Sequence, residues 1–146
     1  MLTNPPIAEV AGHLRLVVAR TARRLRQEAG ADLSPSVISA LASIDRHGPL
    51  TPSELAAHER VQRPTATRLL ARLEDAGLVE RAADPGDRRS SLISVSADGR
   101  TLLRRQRSRK DLYLARRLAA LDADEVATLE RAAAILERML DEEGRR

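Results

Sequence analysis

The sequence predicts a mainly α-helical chain of 146 residues carrying one small β-hairpin. Three observations predict it. Apolar residues recur at helical spacing on both sides of the middle of the chain. Capping residues and Gly or Pro stops bound most of those runs. Two short β-capable stretches, LVERAA (78–83) and SLISVS (91–96), flank the turn sequence DPGDRR.

Each element follows from its residues. Ile7, Val10, Leu14, Val17 and Leu25 share one helical face, so a first helix runs from residue 7 to about 29 and stops near Gly30. Ser34 and Pro35 form an N-cap and first-turn pair for a second helix, with Val37, Ile38, Leu41 and Ile44 as its apolar stripe and Gly48-Pro49 as its stop. In LTPSEL, Thr51 caps a short third helix over about 52–59. Glu54 reaches back as a capping box, and Leu50 staples onto Leu55. Val61 and Gln62 turn a tight corner before Pro64 opens a fourth helix that runs to Gly77. Two helices joined by so short a turn make a helix-turn-helix candidate. After the hairpin, Ser96 caps a long basic helix over 97 to about 121, and Asp122 with Glu125 starts a last one. Its Val126, Leu129, Ala133, Leu136 and Leu140 step by three and four, a seam that packs along another helix in this chain or a second copy.

Composition sets the limits. The length suits one domain, and with one Tyr, no Phe and no Trp the core must be aliphatic. Without Cys there is no disulfide framework, thiolate metal site or thiol switch, which points to a reducing cytoplasm. The N-terminus MLTNPPIAEV has no signal-peptide pattern and no run is long and apolar enough to span a membrane, so a soluble, unprocessed protein is expected. The charge is uneven. Residues 60–110 hold 13 Lys or Arg against 6 Asp or Glu, whereas the rest holds 12 against 15. A net +7 beside a net −3 suggests an anionic partner for the middle segment, nucleic acid or an acidic membrane surface; a merely solvated Arg-rich face is the plainer alternative.

The order of helices, helix-turn-helix, hairpin, long helix and terminal helix describes a winged helix set between helical arms. The blocks VQRPTATRLLARLEDAGLVER (61–81) and DPGDRRSSLISVSADG (84–99) resemble the recognition helix and wing of the MarR family of bacterial transcription regulators. The resemblance covers nearly the whole chain, with Gln62 standing where members often carry Ser. It implies a winged helix-turn-helix lobe over 31–96 and a helical dimerisation region over 1–30 and 97–146. It also implies a cytoplasmic homodimer reading a pseudo-palindromic double-stranded operator, most simply as a repressor. A small-molecule effector would bind a cleft between the dimer arms and the DNA-binding lobe, without a cofactor. With so few aromatic residues, a stacking pocket for planar ligands is disfavoured.

The residues fit that reading physically. In the fourth helix Ala66, Leu69, Leu70 and Leu73 gather on one face, and Thr65, Thr67, Arg68 and Arg72 lie opposite. Short polar side chains near a helix N-terminus suit a major groove, Arg68 can grip guanine with two hydrogen bonds, and Arg63 sits where a phosphate would lie. At the wing tip, Arg89 is expected to enter the minor groove while Asp87 holds a guanidinium in place, with Arg88 beside them. The structural alternative for Asp87 is an internal turn bridge. Thr51, Gln62 and Pro64 complete the expected DNA-contacting set. RRQRSRK (104–110) occupies several sides of a helix and reads mainly as a solvated face.

Other functions find less support. His13, His47 and His58 are the only histidines, and no pair has the i, i+4 spacing of a helical metal site, although a metal-responsive regulator of the same fold is an alternative. No Gly-rich phosphate loop, metal-ligand cluster or nucleophile with an obvious base suggests an enzyme. A winged helix used for protein contacts is the remaining alternative class.

Overall fold

The computed structural model describes residues 5–30 and 33–144; the first four residues of the N-terminal stretch, residues 31 and 32 and the last two residues lie outside the described residues. Helices α1 (Ile7–Ala29), α2 (Pro35–His47), α3 (Pro52–Glu59) and α4 (Arg63–Asp75) precede strands β1 (Val79–Asp84) and β2 (Asp87–Val95), and helices α5 (Ala97–Leu118) and α6 (Ala123–Glu143) follow. The chain divides into two compact units at Lys110 and Asp111.

In the first unit the stops and caps act as their residues dictate. Gly30 takes the left-handed conformation (φ 63°) that ends α1. Ser34 accepts the Val37 amide at the start of α2, whose Val37, Ala40, Leu41 and Ile44 are buried. They meet Leu55, Leu70, Leu73, Leu78 and Ile93 in one aliphatic core. Leu69 is only half-buried at its edge.

The hairpin is antiparallel, from Val79 opposite Val95 to Asp84 opposite Asp87, with a register shift at Ala83/Asp84. Strand β1 has the length of LVERAA but lies one residue nearer the turn, and β2 is longer than SLISVS, because Asp84 and Asp87 pair directly across Pro85-Gly86. Leu50 and Ile93 exchange two backbone hydrogen bonds (2.9 and 2.7 Å), adding a one-residue rung to the inner end of the hairpin.

Ser96 joins the wing to α5. Its hydroxyl donates to the Gly77 carbonyl (2.7 Å) and accepts the Gly99 amide (3.1 Å), capping the helix. Gly99 is required by contact: a Cβ there would lie 2.2 Å from the Leu78 carbonyl oxygen. Helix α5 ends at Leu118, short of the expected 121, as residues 119–121 turn toward the next cap. In the second unit α6 begins with a complete capping box: Asp122 accepts the Glu125 amide (2.8 Å), and Glu125 accepts the Asp122 amide (3.1 Å). None of the residues of α6 is buried.

Candidate nucleic-acid interface

Helices α3 and α4 meet at the turn 60–62. Arg60 ends α3 in the left-handed region (φ 54°), an unusual conformation for a side chain this large. Glu59, just before it, accepts hydrogen bonds from Ser39 (2.7 Å) and Ser43 of α2, which anchors the end of α3. The corner therefore has a fixed geometry, and α4 leaves it with Ala66, Leu70 and Leu73 buried.

The outer face of α4 carries Arg63, Pro64, Thr67, Arg68 and Arg72 exposed, with Thr65 half-buried. The structure brings these six onto one short helix and refines their roles. Helix α4 starts at Arg63, one residue before Pro64, and Gln62 makes no side-chain cap. The Thr65 and Ala66 amides donate to the Gln62 carbonyl (3.0 and 3.1 Å), and Pro64 has no amide hydrogen. Thr67 donates to the Arg63 carbonyl (3.0 Å), leaving its methyl and oxygen lone pairs to meet a partner. Arg68 leans on the Thr65 hydroxyl (3.4 Å), which biases its guanidinium along the helix face. Thr51 serves α3: its hydroxyl accepts the Glu54 amide (3.2 Å) and donates to the Glu54 carboxylate (3.1 Å). Only half of the expected capping box forms, since Glu54 takes the Thr51 hydroxyl instead of its amide.

At the wing, two expectations are corrected. Arg88 and Arg89 lie on the β2 arm, because the tip is only Pro85-Gly86 and β2 starts at Asp87. Asp87 holds the Arg89 backbone amide (2.9 Å) and not a guanidinium, so the carboxylate fixes the local chain while the Arg89 side chain stays free. Arg63, Arg72, Arg88 and Arg89 make no side-chain hydrogen bond or ion pair with the described residues. Arg81 of β1 differs: its Nε (3.1 Å) and Nη2 (2.5 Å) both reach Glu74 Oε1 at the end of α4. Sequence reading missed the exposed Arg60, because the usual sign of a left-handed turn is a Gly.

The histidines divide. His13 is exposed on α1. His47 and His58 stack with centroids 4.1 Å apart and planes 9° from parallel. A metal ion lies near the plane of each ring it binds, so two stacked planes offer no shared coordination position. Among the described residues no group of three or more His, Asp or Glu is placed to hold a metal ion, and no helix is long and apolar enough to cross a membrane.

The chain resembles known proteins along most of its length. It is 40% identical over 136 residues to the HTH-type transcriptional regulator MT0903.1 of Mycobacterium tuberculosis, covering 92% of this chain and 95% of that protein. It is 36% identical to the multiple antibiotic resistance protein MarR of Salmonella typhimurium, covering 68% of this chain and 69% of that one. A crystal structure of a putative transcriptional regulator from Pseudomonas aeruginosa superposes with a TM-score of 0.84 at 40% identity, over 94% of this chain and 98% of that chain. Residues 33–91, which contain the helix-turn-helix and most of the wing, match the MarR family. With this fold, this exposed arginine surface and these relatives, the chain belongs to the MarR family of helix-turn-helix transcription regulators.

Proposed function

We propose that the chain acts as a cytoplasmic homodimer that binds a pseudo-palindromic double-stranded operator and represses transcription from it. The observation that carries the reading is the pairing of two exposed cationic features on one lobe: the Thr and Arg face of α4 and the free arginines of the β2 arm. Helix α4 enters a major groove, Arg68 reads a base edge, and Arg63 meets phosphate. Arg89 reaches the adjacent minor groove, with Arg88 as an accessory cation. Thr65, Thr67 and Arg72 complete the contact face; Thr51, Gln62 and Pro64 shape its edge. Exposed Val126, Leu129 and Leu140 on α6 supply an apolar face for the second copy.

Binding measured by fluorescence anisotropy on a duplex, over a range of salt, tests the reading. Affinity should fall linearly with salt on logarithmic axes. Arg68→Ala should cost about 1–3 kcal/mol on the preferred site and relax the preference at one position per half-site. Arg63→Ala should weaken all sequences alike and flatten the salt slope by about one. Salt-independent binding, or no binding to any duplex, would favour a protein-contact role.

In this reading a small-molecule effector modulates the binding. A groove of about 670 Å³ between α1, α2 and α5 is lined by Leu25, Leu33, Ile38, Lys110 and Gln106. Gln106 is 4% exposed, and its amide nitrogen has no hydrogen-bond partner. A small molecule with an apolar body and an acceptor group would satisfy it. Occupancy would shift the lobe between arrangements of different operator affinity.

A further inference from the structure

We propose that the Glu74–Arg81 pair is a strut that sets the angle of the wing to the recognition helix, which makes both residues positioning residues for Arg89. The inference rests on the wing being a minor-groove contact.

Glu74 lies in the last turn of α4 and Arg81 in β1, seven residues later, with Gly77 (φ 71°) turning the chain between them. Two guanidinium nitrogens converge on one carboxylate oxygen. Among the described residues this is the sole side-chain hydrogen bond or ion pair between α4 and either strand. The inner end of the hairpin is held independently, by buried Val79 and Ile93, by the Leu50–Ile93 rung and by Ser96 on the Gly77 carbonyl. Farther out, Arg81, Ala82 and Ala83 on β1 and Asp87, Arg88 and Arg89 on β2 are exposed, and Asp84, Ser90, Ser91 and Leu92 are only half-buried and lie outside the core cluster, so the core does not fix the tilt of the arm.

Arg81 stands opposite Ile93, four residues inboard of Arg89. At about 3.3 Å per residue the arm beyond the strut is about 13 Å long, so a tilt of about 20° would carry Arg89 about 4–5 Å, more than the reach of a hydrogen bond. The strut thus controls whether α4 and Arg89 fit their grooves at once. Pairing also takes Arg81 out of the set of free phosphate-binding cations and masks the Glu74 charge beside the DNA. An exposed pair of this kind contributes little to fold stability, which leaves placement as its effect.

The test is a binding cycle on the preferred duplex with wild type, Glu74→Ala, Arg89→Ala, their combination, and the exchange Glu74→Arg with Arg81→Glu. Melting temperatures serve as the folding control. Glu74→Ala should weaken binding about three- to fivefold, although it removes a negative charge that repels phosphate. The combination should bind about as Arg89→Ala does, because a displaced arginine has little left to lose. The exchange variant keeps the net charge and should recover affinity to within about twofold. Tighter binding by Glu74→Ala, or penalties that multiply in the combination, would overturn the strut while leaving the wing reading intact. If Arg89→Ala costs nothing in the wild type, the wing reading fails and the strut with it.

Discussion

Helices α4 and α6 are both amphipathic, and they use their apolar faces in opposite ways. Helix α4 is 13 residues long and buries Ala66, Leu70 and Leu73 against α2, α3 and the hairpin, leaving its polar face to a ligand. Helix α6 is 21 residues long, begins with a full capping box and buries nothing: Leu129 is 49% exposed and Leu140 68%. The first is ordered by its own chain. The second has strong local signals but lacks the packing that normally supplies most of a helix's stability, and in the proposed dimer its seam meets the second copy.

Substitutions on the two faces should separate these roles. Leu70→Ala or Leu73→Ala, each at a fully buried site, should destabilise the fold by about 2–5 kcal/mol in denaturant titration. Leu129→Ala with Leu140→Ala should barely change the core and should instead raise the dissociation constant of the dimer, read by sedimentation. Equal effects on fold stability from the two pairs would erase the distinction.

Gly99→Ala sharpens it from another side. Ala normally stabilises a helix relative to Gly, by about 1 kcal/mol. Here the added carbon meets the Leu78 carbonyl, so the substitution should destabilise by about 1–3 kcal/mol by forcing the backbone apart. A rise in melting temperature would show that α5 is free to slide. The smallest effect is expected at Arg60, where Arg60→Gly should stabilise by up to about 1 kcal/mol by relieving the left-handed strain, provided the added flexibility of the unfolded chain does not offset it. If the same variant loses DNA affinity at all sequences alike, Arg60 is a phosphate contact.

The helices were legible because their signals are local. Ser34, Asp122 with Glu125, Gly30 and the Gly48-Pro49 pair act within a turn of the residues they cap or stop, and all do so. What was not legible depends on residues far apart or on a choice among partners. The Leu50–Ile93 rung joins segments 43 positions apart, and nothing in either segment announces the other. Residue type suggests a guanidinium partner for Asp87, yet the nearby Arg89 amide wins the carboxylate because a two-residue Asx turn costs little chain entropy. Residue type alone does not show that the Thr51 hydroxyl is engaged in both directions by Glu54. The apolar side of the recognition helix followed from periodicity, whereas the freedom of Arg63, Arg72 and Arg89 required knowing what surrounds them.

The central claim is that two copies of this chain present two α4 helices and two wings to one duplex. Selection of bound sequences from a random duplex pool tests it most directly. An inverted repeat with half-site centres about 10 base pairs apart, matching helices about 34–36 Å apart, should be enriched, with the preference at one position per half-site lost in Arg68→Ala. Enrichment of an unrepeated site bound by a single copy, or an unchanged preference in Arg68→Ala, would contradict it.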